Sequence, residues 1–163
     1  MSTLVNIAEM KIAKEPMILI CIGLGSCIGV ALYDPIEKIG GVAHVMLPDS
    51  KAAKSPEKIA KLAKFADTAI EAMIKKMVAR GANIQAMKAK IFGGANIFPS
   101  SNPNALMMIG ERNIQAVCGE LIRHQIPLVA KDVGGNSGRT IYFEVATGMV
   151  TVKMLNSREE KIF

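Results

Sequence analysis

An α+β fold is what three observations on this sequence predict. Short apolar runs punctuated by glycine, proline and asparagine fill both ends of the chain, and two stretches with apolar residues at helical spacing lie between them. The composition, 50% hydrophobic with only 4% aromatic residues, supplies an aliphatic, methionine-tolerant core. At 163 residues the chain, 1–163, is expected to form one domain.

The elements follow in order. Val5 to Ile12 alternates loosely and predicts an opening strand that ends before Glu15-Pro16, and Met17 to Ile22 predicts a second. A glycine bend, Gly23-Leu24-Gly25-Ser26-Cys27, leads into a third strand at Ile28 to Tyr33. Asp34-Pro35 then turns the chain toward a fourth, Gly40 to Leu47. Pro48 to Ser55 is a polar loop, and Ser55-Pro56 supplies a cap residue and a proline at the first helical position. Ile59, Leu62, Ala66, Ile70, Met73 and Met77 recur at helical spacing and predict one long helix closed by Arg80-Gly81, with Met73 and Met77 in the core.

Gln85 to Phe92 predicts another strand ending in Gly93-Gly94-Ala95-Asn96, and residues 98–108 form a Pro- and Asn-rich loop. A second helix is expected from Glu111 to about His124. Strands at Leu128 to Ala130, Thr140 to Val145 and Met149 to Leu155 complete the fold, the last two as a hairpin across Ala146-Thr147-Gly148. The tail, 157–163, is expected to fray.

Several function classes are set aside by composition and spacing. The net charge of +6 is scattered and aromatic stacking residues are few, which argues against nucleic-acid binding. Met17 to Tyr33 carries no charge, yet glycines interrupt its middle and Pro35 follows, so two strands explain it better than membrane insertion. Three cysteines and no recognisable secretory signal point to a cytoplasmic protein with free thiols. Gly23-Leu24-Gly25 lacks the third glycine of a dinucleotide fingerprint. The run Gly134 to Thr140 lacks the Gly-Lys pair of a phosphate loop and reads as a glycine turn that can line a pocket. Cys21, Cys27, His44 and Cys118 lack the paired short spacing of a zinc site, so neither metal nor organic cofactor is expected.

The glycine bend carries the chemistry. Cys27 sits on it between two apolar runs, and a thiol there is a nucleophile if a histidine can take its proton and return it to a leaving group. His44, in the fourth strand, is the better placed histidine; His124, near the polar end of the second helix, is a poor second. Free cysteine also serves as a small core hydrophobe and a strand histidine can be satisfied by one backbone hydrogen bond, so residue types alone leave both readings open.

Several segments in order resemble the CheD family of chemoreceptor glutamine deamidases. They are Gly23 to Cys27, Ala43-His44-Val45-Met46-Leu47-Pro48-Asp49-Ser50, Phe65-Ala66-Asp67-Thr68-Ala69, Lys90 to Ala95, Ile109-Gly110-Glu111-Arg112-Asn113, and Asp132 to Gly135 with Gly138-Arg139. The resemblance covers nearly the whole chain. It implies mixed β-sheets layered against two main helices, as in the catalytic domain of cytotoxic necrotizing factors. It places the nucleophile at Cys27 and the base at His44. Where the family usually has a threonine that orients the histidine, this chain has Cys21, a weaker hydrogen-bond partner.

The implied reaction converts a receptor glutamine to glutamate through a Cys27 thioester, with the backbone amides of Ser26 and Cys27 expected as oxyanion donors. The same acyl-enzyme would serve glutamate methyl esters. The implied partners are the cytoplasmic helices of chemoreceptors and the phosphatase CheC. A weakly catalytic adaptor that docks on receptors or CheC is the competing reading.

Overall fold

Two five-stranded sheets and a helical layer stack face to face in the computed structural model, which describes residues 1–97 and 107–163. The first sheet contains β1 (Ser2–Leu4), β3 (Ile18–Leu24), β8 (Arg139–Glu144), β9 (Val150–Met154) and β10 (Glu160–Ile162), in that spatial order. The second contains β2 (Met10–Lys14), β5 (Ile39–Val45), β4 (Ile28–Asp34), β6 (Lys88–Gly93) and β7 (Leu128–Val133). Each sheet is mixed: β1 runs parallel to β3 and β6 parallel to β7, and the remaining pairs are antiparallel. The helices are α1 (Ser55–Ala60), α2 (Ala66–Ala79) and α3 (Met107–Arg123). The expected α+β class, with mixed sheets and two main helices, is what the chain adopts.

Two cores result. One lies between the sheets, where Leu19, Cys21, Leu24, Phe92, Ile141 and Phe143 are fully buried. The other lies between the second sheet and α2 and α3, where Val30, Leu32, Ile70, Met73, Met77 and Val117 meet. Every residue of β4 and β5 is buried as a consequence, which explains why neither strand alternates in hydropathy.

Four elements differ from expectation, each for a non-local reason. The opening strand is two short strands in different sheets, because the chain crosses from one sheet to the other at Val5 to Glu9, where Ala8 takes a positive φ of 63°. Strand β3 continues through Gly23, which adopts φ 66° in a bulge between Cys21 and Leu24. The long helix is interrupted by a 3-10 turn at Leu62–Lys64 and an extended Phe65. There the Lys64 carbonyl accepts from the N–H groups of Met46 and Leu47, and Ala66 N–H donates back to Leu47. The tail carries a further strand: Glu160–Ile162 pairs with β9, and Phe163 exchanges both backbone hydrogen bonds with Val150.

Smaller shifts complete the comparison. Helix α3 starts at Met107, a turn before the expected Glu111. The loop expected over 98–108 falls, up to residue 106, outside the described residues.

Candidate functional site

The nucleophile candidate and its histidine lie at the same end of the β4–β5 pair. Ile28 lies opposite Val45 and Gly29 opposite His44, while Ile28 and Val45 point into the helix-facing core. Side chains alternate along a strand, so Gly29 and His44 face the other sheet, and Cys27, one residue before Ile28, packs on that same side. Cys27 and His44 are therefore diagonal neighbours, an arrangement that separates Cβ atoms by roughly 7–8 Å at most and that an imidazole and a thiol can bridge. Position 29, opposite His44, is glycine and adds no side chain of its own on that face. A Cβ there would come within 2.9 Å of the Ile141 side chain and 3.0 Å of Leu24.

Three consecutive carbonyls of the bend are tied down. Gly25 O accepts from Ala95 N–H at 2.8 Å, Ser26 O from the Asn113 side-chain amide at 2.9 Å, and Cys27 O from Gly94 N–H at 2.9 Å. Gly93 makes the last of these possible: it has φ 110°, and a Cβ on it would overlap Cys27 O at 2.2 Å. With its carbonyls fixed, the bend presents the Ser26 and Cys27 N–H groups, which have no acceptor among the described residues.

Beside them opens a cleft of about 250 Å³, bounded by Gly25 to Cys27 on one side and by Ala95, Asn96, Ile97 and Ile109 on the other. Its wall is braced from behind. Asn96 N–H donates to Gly135 O and Gly134 N–H to Gly93 O, each at 2.8 Å. Buried Arg139 holds that glycine turn through hydrogen bonds to the carbonyls of Asp132 (2.5 Å) and Gly134, and pairs with the Asp132 carboxylate at 3.3 Å. The turn at 134–138 thus supports the cleft wall instead of lining the cleft.

The electrostatics describe a neutral pair. Burial holds the His44 imidazole below its ordinary pKa, partly offset by the bond from its ring to Val5. Burial likewise raises the Cys27 thiol. Cys21 is pushed up to about 12 by burial and then by the proximity of Cys27. His44 Nδ1 lies 3.3 Å from the Val5 carbonyl, which can only accept, so Nδ1 carries the proton and Nε2 keeps its lone pair. The ring's hydrogen-bond partner is thus main chain at the crossing between the sheets. Cys21, which stands where the family usually has its orienting threonine, is buried near Cys27 in β3 and packs in the inter-sheet core.

Of the residues singled out from sequence, Cys21, Ser26, Cys27 and His44 come together. His124 lies near the opposite end of α3, about 15 residues and some ~20 Å from Ile109, with its ring 3.6 Å from Glu120. Sequence reasoning gave no role to Val5, Asn113 or Arg139, although the last two lie in segments that carry the family resemblance. Asn113 had a visible signal, since it interrupts the apolar i,i+4 row Ile109, Val117, Leu121 on a helix. Val5 had none, because it acts through its backbone.

A thiol and a neutral imidazole on one face, with unpaired amides beside an apolar cleft, can carry nucleophilic acyl transfer. The chain belongs to the CheD family: the model of "CheD chemotactic sensory transduction" matches residues 46–154, a span that starts just past His44. Similarity to curated proteins extends over the site itself. The chain is 48% identical to the probable chemoreceptor glutamine deamidase CheD of Clostridium tetani over 91% of this chain and 88% of that protein. It is 46% identical to the protein of the same name from Clostridium botulinum (strain Hall), over 97% and 96% respectively. Among the described residues no helix is long and apolar enough to cross a membrane.

Proposed function

We infer that the protein deamidates glutamine side chains of chemoreceptors, with Cys27 as nucleophile and His44 as general base and acid. The observation that carries this reading is the placement of Cys27 and His44 on one strand face with the imidazole Nδ1–H engaged by Val5 O. His44 Nε2 takes the thiol proton as sulfur attacks the amide carbon, and the developing oxyanion is met by the N–H groups of Ser26 and Cys27. The imidazolium, stabilised by the Val5 carbonyl, returns its proton to the departing ammonia. Neutral His44 then draws a proton from water, whose oxygen attacks the thioester; the products are glutamate and the free Cys27 thiol. A glutamate methyl ester would enter at the same thioester with methanol as leaving group.

The apolar cleft suits the aliphatic part of a glutamine side chain, leaving the amide at its mouth for the bend. Val5 supplies the orientation that the family threonine would give, so Cys21 is a packing residue in this reading. CheC, a partner implied by the family resemblance, would use a surface outside this cleft or compete for its rim.

The test is incubation with cytoplasmic receptor fragments and mass spectrometry of individual glutamine-containing peptides. Conversion by the wild type and its loss in Cys27→Ala is the expected result. Receptor binding without conversion by the wild type would overturn the enzyme and leave an adaptor.

A further inference from the structure

Asn113 spans the two halves of the site. Its side chain is fully buried, and its amide nitrogen donates one hydrogen to Ser26 O at 2.9 Å and the other to Met46 O at 3.0 Å. Ser26 is the residue before Cys27, and Met46 lies two residues past His44. The β4–β5 ladder ends at Ile28 opposite Val45, so both carbonyls lie beyond its last pair. Without another tie, the bend carrying Cys27 could move relative to the end of β5. The Asn113 amide acts as one more rung across that gap.

Two further observations separate this role from ordinary packing. Asn113 Oδ1 is buried without a hydrogen-bond partner among the described residues, an arrangement that stability alone disfavours. One turn earlier, a Cβ on Gly110 would lie 2.6 Å from Gly94 O and 2.9 Å from Ala95 O, so α3 sits flush on the segment that binds Gly25 and Cys27. The helix therefore reaches the bend directly through Asn113 and indirectly through the 94–95 segment on which Gly110 packs.

We propose that Asn113 is a positioning residue that sets the spacing between the Cys27 bend and the His44 strand by bridging Ser26 O and Met46 O. The proposal rests on the reading that Cys27 and His44 work as a pair. Asn113→Ala removes the bridge. Asn113→Asp keeps the shape but sets a carboxylate against two carbonyls.

The experiment measures three quantities for both variants: kcat and KM on receptor fragments, the pH dependence of Cys27 alkylation by iodoacetamide resolved by peptide mass spectrometry, and melting temperature. Val117→Ala, on the same helix and buried in the helix-facing core, is the control for stability loss. The expected result is a fall in kcat of tenfold or more with KM within twofold, and loss of the alkylation inflection that His44→Ala also removes. Val117→Ala should keep both while melting lower. Retention of kcat and of the alkylation profile within twofold in both Asn113 variants would overturn the proposal, as would equal losses in Val117→Ala. Persistence of glutamine conversion in Cys27→Ala would sink Cys27 as the nucleophile, and no conversion by the wild type would sink the deamidase reading; in either case the alkylation profile would still judge Asn113.

Discussion

In the proposed mechanism His44 sets the pH behaviour of the site. A buried imidazole with a depressed pKa stays neutral, and able to accept a proton, at pH values where an exposed histidine is half protonated. The acid limb of kcat/KM is therefore expected to have its midpoint below the ordinary value of 6.5. The same shift affects stability. Below pH 6.5 the unfolded chain takes up a proton that the fold resists, so unfolding becomes easier as pH falls toward the folded-state pKa. Thermal melting between pH 7 and pH 5 checks this: the midpoint should drop, and His44→Gln should flatten the dependence in that window. Cys21 gives a second test at this scale. Since Val5 already holds the ring, Cys21→Thr is expected to change kcat by less than about twofold, because a hydroxyl at position 21 would find Nδ1 already engaged. A several-fold increase would return the orienting role to position 21.

At the level of elements, what could be read from sequence was set by whether the cause was local. The α2 periodicity, the Gly81 that follows it with φ 105°, and the Gly148 turn of the β8–β9 hairpin are local signals and lie where expected. The interruption of the long helix is not local. Lys64 O is taken by the N–H groups of Met46 and Leu47, which have left the β4–β5 ladder, and helical spacing alone cannot reveal that competitor. The opening segment shows the same limit, because loose alternation across Val5 to Ile12 does not reveal a crossing between sheets. In the site, Cys27 and His44 were legible as residue types in telling contexts. The supporting atoms were not: the Val5 carbonyl and the amides of Gly94 and Ala95 are main-chain groups, whose role residue type does not advertise.

Over the whole molecule, the sheets are tied by a charge as well as by apolar contact. Lys90 on β6 reaches across the inter-sheet core, where its ammonium donates to Gly148 O at 2.7 Å and to Phe163 O at 2.9 Å and lies 5.4 Å from the centre of the Tyr33 ring. Burial, with a smaller contribution from Lys88, lowers its pKa. The tie joins the second sheet to both the hairpin and the tail of the first. Lys90→Met should therefore free the tail: amide exchange at Lys161 to Phe163 is expected to accelerate by tenfold or more while β4 and β5 stay protected. Unchanged exchange there would show that pairing with β9 alone holds the tail.

The three tethered carbonyls of the Cys27 bend also carry a consequence for biosynthesis. Their donors, Gly94, Ala95 and Asn113, come far later in the chain than the cysteine they organise. A growing polypeptide on the ribosome thus exposes Cys27 as an ordinary thiol, with its amides unaligned, until residue 113 has emerged. If Cys27 acts as proposed, a chain truncated before residue 113 carries its thiol without the tethers that order the bend around it.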